Sequence, residues 1–305
     1  MRFVLTVIGA PGSSLPNAGL VEAAGTALAG CGHRPGPPDW LAPEEACDIP
    51  FELATTEPEE AGTGDILSAV RAQLAGAPVD LAILPTAGRR KALLVADMES
   101  TVIGQEMIDE LAEIAGIGPH IAAITARAMA GELDFTAALR ERVALLRGLS
   151  VAALERAARR ITIDPGARTL VQTMRAHGAW TALVSGGFDY FASVVGRACG
   201  FDEIRANRLL LADGMLSGTV AEPVLDRDAK LATLHELAKR RGVKPAASCA
   251  VGDGANDLAM IRAAGLGVAY RGKPLLRAAA DACIDHGDLS ALLYLQGYRK
   301  NDFRT

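Results

Sequence analysis

Short apolar runs recur along the last two thirds of this chain, alternating with longer stretches of helical spacing. The runs are Leu93 to Ala96, Thr181 to Val184, Ser248 to Val251 and Gly267 to Tyr270. Helical spacing covers 167–177, 190–199, 229–241 and 256–264. Strands that read as unbroken hydrophobic stretches are buried on both faces, so the pattern predicts an open parallel α/β sheet with helices on either side. Between the first two runs lies an insert, about 105–160, with apolar positions Ile121, Ile124, Ala128, Leu139, Val143 and Leu146. It is too long for a simple crossover and predicts a helical cap. The stretch RLLLADGMLSGTV, 208–220, sets an Asp-Gly turn between β-rich arms and predicts a hairpin.

Residues 1–85 follow another rhythm. Strands are expected at Arg2 to Ile8, weakly near Trp40, at Asp48 to Ala54 and at Asp80 to Leu84. Helices are expected at Ala18 to Ala29 and Asp65 to Leu74. The order is β-α-β-β-α-β, a small α+β unit. Residues 86–91 look like a polar link to a second unit, 92–305. No catalytic constellation falls before residue 86, so the first unit reads as regulatory, dimerising or scaffolding, and as dispensable for chemistry.

Composition narrows the function. Half of the 305 residues are hydrophobic, 22% are charged and the net charge is −5, which argues against nucleic acid or anionic membrane as partner. Aromatic residues, at 4%, are too few for base-stacking platforms. Five scattered cysteines without a CxxC pair suit reduced thiols and offer no metal-ligand pattern. Leu28-Ala29-Gly30-Cys31 mimics a lipoprotein cleavage box, but Pro16, Asn17 and Glu22 interrupt the stretch before it. The expectation is a cytoplasmic protein.

In open α/β sheets, ligands gather beyond the carboxyl ends of the strands. Three such ends here are polar: Asp97-Met98-Glu99-Ser100-Thr101, Ser185-Gly186-Gly187, and Gly252-Asp253-Gly254-Ala255-Asn256-Asp257. A single acid at a strand end is usually a helix cap. Three polar ends on one sheet point instead to a site. Asp97 and Asp253 offer hard oxygen ligands suited to Mg²⁺. Ser185 and Gly186 open a helix, where a hydroxyl and backbone N–H groups receive an anion. Lys230 adds a point charge for phosphoryl oxygens.

These four segments resemble the motifs of the haloacid dehalogenase superfamily of aspartyl phosphotransferases. STVIGQEMIDELA, VSGGFDYF and AVGDGANDLAMI are similar, more narrowly, to the phosphoserine phosphatase family, from about Ala92 to Leu293. The resemblance implies a Rossmann-like core with a helical cap, preceded by a ferredoxin-like (ACT-like) domain. It further implies that Asp97 attacks phosphorus, that Glu99 serves as general acid and base, and that Asp97, Asp253 and the backbone carbonyl of Glu99 hold Mg²⁺, with Asp257 behind them. Thr101, Ser185, Gly186, Lys230 and Asn256 would receive the phosphoryl group. Glu106 and Arg142 would read the ammonium and carboxylate of O-phospho-L-serine, and Met129 and Phe135 would wall the pocket. Glu99 stands where that family carries Asp, one methylene shorter.

Without the resemblance, Glu106 reads as a first-turn acid and Arg142 as a solvated helix charge. Two other functions remain open: a related phosphatase or phosphotransferase on another small phosphomonoester, and a non-catalytic serine sensor. Homodimerisation through the first unit is a further possibility.

Overall fold

In the computed structural model, which describes residues 2–52 and 59–305, the chain first builds a four-stranded antiparallel sheet. Its strands are β1 (Arg2–Gly9), β2 (Asp39–Ala42), β3 (Ala46–Glu52) and β4 (Val79–Pro85), in the order β2-β3-β1-β4. Helices α1 (Ala18–Gly30) and α2 (Glu59–Gln73) cover one face. The apolar side chains that alternate along β1, such as Leu5 and Val7, pack beneath them. This is the expected β-α-β-β-α-β unit; the expected strand end at residues 53 and 54 lies outside the described residues. Leu28 to Cys31 form the last turn of α1, with Leu28 fully buried, so the cleavage-box lookalike is ordinary helix end.

A six-stranded, wholly parallel sheet follows, as the apolar runs predict. β5 (Leu93–Ala96) leads into four cap helices, α3 (Met107–Ala115), α4 (Gly118–Met129), α5 (Phe135–Ala144) and α6 (Val151–Ala158). Then come α7 (Ala167–Ala176), β6 (Trp180–Phe188), α8 (Asp189–Cys199), β7 (Glu203–Asn207) and the hairpin β8 (Leu209–Ala212) and β9 (Met215–Val220). The chain closes with α9 (Arg227–Arg241), β10 (Ser248–Gly252), α10 (Leu258–Ala263), β11 (Gly267–Tyr270), α11 (Pro274–Arg277), β12 (Ala282–Ile284) and α12 (Ala291–Leu295). The sheet order is β12-β11-β10-β5-β6-β7. The fold class is therefore α/β, with the cap and the antiparallel unit as expected. Sequence reading missed the edge strands β7 and β12.

Residues 86–91 are more than a link, and the first sheet is not a free module. The Arg89 side chain is only 12% exposed; its guanidinium lies 2.5 Å from Asp48 and also donates to Thr6 Oγ1 and to the carbonyls of Tyr294 and Leu295. The Asp80 carboxylate accepts backbone N–H groups from Asp285, His286 and Gly287. Ile8, Ala82 and Leu84 share a buried cluster with Leu292 and Tyr294. Removing 1–85 would expose that apolar face and orphan Arg89, so this packing speaks against its dispensability.

Candidate active site

Strand order brings the three polar ends together. β5 lies between β10 and β6, with Ala96 opposite Val251 on one side and Leu183 on the other. Asp97, the Gly252–Asp257 loop and Ser185 consequently emerge side by side at the carboxyl edge of the sheet. Asp97 N–H still donates to Val251 O at 3.0 Å, extending the ladder into the site. They border a cleft of about 290 Å³ beneath the cap, lined by Asp97, Glu99, Glu106, Phe135, Arg142, Ser185, Gly186, Asp253 and Asn256 among others. That is small-molecule size.

The buried floor is an ion cluster. Lys230, on the first turn of α9, is 1% exposed, and its Nζ lies 2.7 Å from Asp97 Oδ1 and 2.6 Å from Asp257 Oδ1. Burial alone would lower its pKa, yet the two carboxylates raise it, so Lys230 stays charged. Asp257 spends its other oxygen on the N–H groups of Asp253 and Gly254, at 3.2 and 3.1 Å. A side chain at position 252 would strike that carboxylate, so the loop needs Gly252 there. Asp97 Oδ1 also accepts Met98 N–H at 2.8 Å. Its Oδ2 accepts no hydrogen bond among the described residues, and Asp97 borders the cleft.

Carboxylate oxygens of Asp97, Asp253 and Asp257 fall within 4.8 Å of one another. Since Asp257 is already satisfied by Lys230 and two amides, Asp97 and Asp253 are the oxygens left for a hard cation. Burial raises the pKa of Asp253, with Lys273 opposing from 3.4 Å and Asp97 adding repulsion. Such acids, short of positive charge, fit a divalent ion.

Glu99 lies against the cleft wall with Oε1 accepting Met107 N–H, the first amide of α3, at 2.8 Å. Its other oxygen abuts Gly187, where an added Cβ would come within 2.5 Å of Oε2. The longer glutamate arm is thus accommodated by a residue with no side chain. Loss of solvation, followed by the nearby Glu106 charge, pushes the Glu99 carboxyl up to about 8. Glu106 accepts Ser100 Oγ–H at 2.8 Å, and burial raises its pKa as well. Arg142, on α5, is half-buried in the wall; it gives one hydrogen bond to Ala138 O in its own helix and makes no ion pair among the described residues.

Two expected site residues stand elsewhere. Met129, at the end of α4, is 86% exposed and borders a separate surface hollow with Asp109, Gly116 and Pro119, so it does not wall the cleft. The resemblance matches its position along the chain but cannot say that α4 ends beyond the cleft. Thr101 is wholly buried, with its hydroxyl unpartnered, and lies behind the lining rather than in it. Phe135 does face the cleft, its ring 3.0 Å from where a Gly186 Cβ would sit. Sequence reading passed over Lys273, which lines the mouth, Ser100, which orients Glu106 from a left-handed backbone (φ 56°), and Asn207, which braces Gly186. Ser100 stands within the first polar strand end, whereas Lys273 and Asn207 fall outside every motif and apolar run of the sequence.

The family model for haloacid dehalogenase-like hydrolase matches residues 94–262. A stretch covering 72% of this chain is 41% identical over 219 residues to phosphoserine phosphatase SerB2 of Mycobacterium tuberculosis, of which it spans 54%. The chain thus spans only about half the length of that relative. The fold resembles the crystal structure of HAD family hydrolase t0658 from Salmonella enterica serovar Typhi, with a TM-score of 0.82, 27% identity and coverage of 97% of this chain and 98% of that one. It also resembles a substrate-bound phosphoserine phosphatase, with a TM-score of 0.62 and 39% identity over 69% of this chain and 99% of the other.

Proposed function

This chain belongs to the haloacid dehalogenase-like hydrolases, and we propose that within them it is a Mg²⁺-dependent phosphoserine phosphatase. It would release L-serine and phosphate from O-phospho-L-serine, as the last step of making serine. The observation that carries this reading is that a carboxylate nucleophile, a cation and an acid line one small cleft. Among the described residues, Asp97 Oδ2 accepts no hydrogen bond and Arg142 makes no ion pair, and Glu106 lines the same space. Phosphoserine carries a phosphate, a carboxylate and an ammonium to match.

In the proposed reaction, Asp97 Oδ2 attacks phosphorus and the serine oxygen leaves, forming an aspartyl-phosphate. Glu99, protonated near neutral pH, gives its proton to the departing oxygen. The resulting carboxylate then takes a proton from water as that water attacks the phosphoenzyme, returning Asp97 and freeing phosphate. Ser185, Gly186, Lys230 and Asn256 steady the phosphoryl oxygens, as phosphoryl transfer demands. Asp97, Asp253 and the Glu99 carbonyl would hold Mg²⁺, which supplies positive charge to a phosphoryl oxygen. Asp257 positions Lys230 and the Asp253 loop. Thr101 would brace the nucleophile loop from behind, and the cap would exclude water above Phe135.

We place residues 1–85 as an ACT-like unit that stabilises the phosphatase unit, 92–305, and offers a surface for a homodimer. Among the described residues no helix is long and apolar enough to cross a membrane.

The test is phosphate release from phosphoserine, phosphoethanolamine (no carboxylate) and phospholactate (no ammonium), with Mg²⁺ and with a chelator. The reading expects phosphoserine to have the highest kcat/KM and all release to stop on chelation. Equal kcat/KM on all three would favour a general small-phosphomonoester phosphatase, and chelator-resistant turnover would remove the metal.

A further inference from the structure

The ladder between β6 and β7 breaks at the phosphate-side loop. Val184 pairs with Arg205, but the next pair is Phe188 with Asn207, so four steps on β6 face two on β7. The intervening residues, Ser185 to Gly187, stand opposite Ala206 alone and line the cleft, and such a bulge leaves backbone groups without ladder partners. Asn207 repairs this with its side chain. Its Nδ2 donates to Gly186 O at 2.8 Å. It also donates to Leu225 O at 3.0 Å, while Oδ1 accepts Leu225 N–H at 2.7 Å. Asn207 is 3% exposed, and every polar group of its amide is satisfied.

Gly186 C=O and Gly187 N–H belong to the same planar peptide unit. Asn207 holds the carbonyl side, and Gly187 N–H donates to Ser185 Oγ at 2.9 Å on the other. Because Ser185 Oγ is already an acceptor, its own proton is free to point into the cleft. Leu225 directly precedes Asp226, whose side chain caps α9 and so sets the turn bearing Lys230. One amide thus ties the Ser185 bulge to the segment that carries Lys230.

We propose that Asn207 is a positioning residue for phosphate: it locks the Gly186–Gly187 peptide so that the Ser185 hydroxyl donates to a phosphoryl oxygen. The inference rests on the reading of Ser185 as a phosphoryl contact, and its test separates the two. Calorimetry with inorganic phosphate and Mg²⁺ gives Kd for the parent, Ser185→Ala, Asn207→Ala and the double variant, alongside their melting temperatures. Ser185→Ala and Asn207→Ala should each weaken phosphate binding about tenfold. The double variant should lose much less than the product of the two, because one residue acts through the other. Asn207→Asp keeps the acceptor for Leu225 N–H, sets an oxygen against Gly186 O, and should weaken phosphate similarly; it carries the test if Asn207→Ala does not fold. Losses that multiply, or Asn207 variants with lower melting temperatures and unchanged Kd, overturn the proposal. An unchanged Kd in Ser185→Ala overturns the underlying reading and the proposal with it.

Discussion

Two buried ion clusters in this protein look alike in composition and differ in what they leave over. In the first, between the antiparallel sheet and α12, the Arg89 guanidinium meets Asp48, Thr6 Oγ1 and two backbone carbonyls, while Asp48 also accepts the Thr6 hydroxyl. Donors and acceptors match. In the second, one lysine serves Asp97 and Asp257, and a third acid, Asp253, pairs among the described residues with an exposed Lys273 at 3.4 Å. Acceptors outnumber donors there, and Asp97 borders the cleft. A fully satisfied buried network fixes a structure. One with carboxylate oxygens to spare is incomplete until something positive arrives. The first cluster is a joint, and the second is a site.

Breaking each cluster should therefore have a different signature. Asp97→Asn should abolish phosphate release, because an amide cannot serve as nucleophile, with melting little changed. Turnover above a few per cent, with deamidation excluded by mass spectrometry, would move the nucleophile elsewhere. Glu99→Gln keeps an oxygen for Met107 N–H but cannot pass a proton, so kcat should fall about 10²- to 10⁴-fold. Magnesium affinity, measured by calorimetry, should hardly move, since the proposed metal contact is the backbone carbonyl. Parental kcat in this variant would assign the proton to another group.

On the other side of the comparison, Arg89→Met strands the buried Asp48 carboxylate and should cost about 3–5 kcal/mol in urea unfolding. The folded protein should keep its KM. A changed KM with unchanged stability would make the joint part of the site. The smallest effect sharpens the picture of the substrate. Arg142→Ala should raise KM for phosphoserine by about 10- to 100-fold, from roughly 1.5–3 kcal/mol of charge-assisted contact, and leave phosphoethanolamine nearly unaffected. Equal losses on both would mean that Arg142 does not read the carboxylate.

Much of the second cluster was legible from sequence because its residues stand at the ends of apolar runs, where alternation changes to polarity. Asp97, Ser185 and Asp253 each follow such a run. The first cluster was not legible, since Asp48, Asp80 and Arg89 pair with groups over 40 positions away or with backbone carbonyls. Edge strand β7, Glu-Ile-Arg-Ala-Asn, hid for a related reason. Its charges are spent on ion pairs with Glu236 and Arg240 from α9, which local periodicity cannot see. Met129 shows the opposite failure: an apolar residue placed in the wall by the resemblance alone, which the structure leaves exposed to solvent. The independence of residues 1–85 was inferred from where motifs fall, and motifs say nothing about which apolar faces are shared.

In the proposed reaction the phosphoryl group passes to the Asp97 carboxylate. Radiolabelled phosphoserine mixed with enzyme and Mg²⁺, quenched in acid within milliseconds and digested, locates any phosphoenzyme directly. The label should sit on the peptide containing Asp97, be labile to hydroxylamine as an acyl phosphate, and vanish in Asp97→Asn. Steady turnover with no trapped label on that peptide, or with label on another residue, would contradict it.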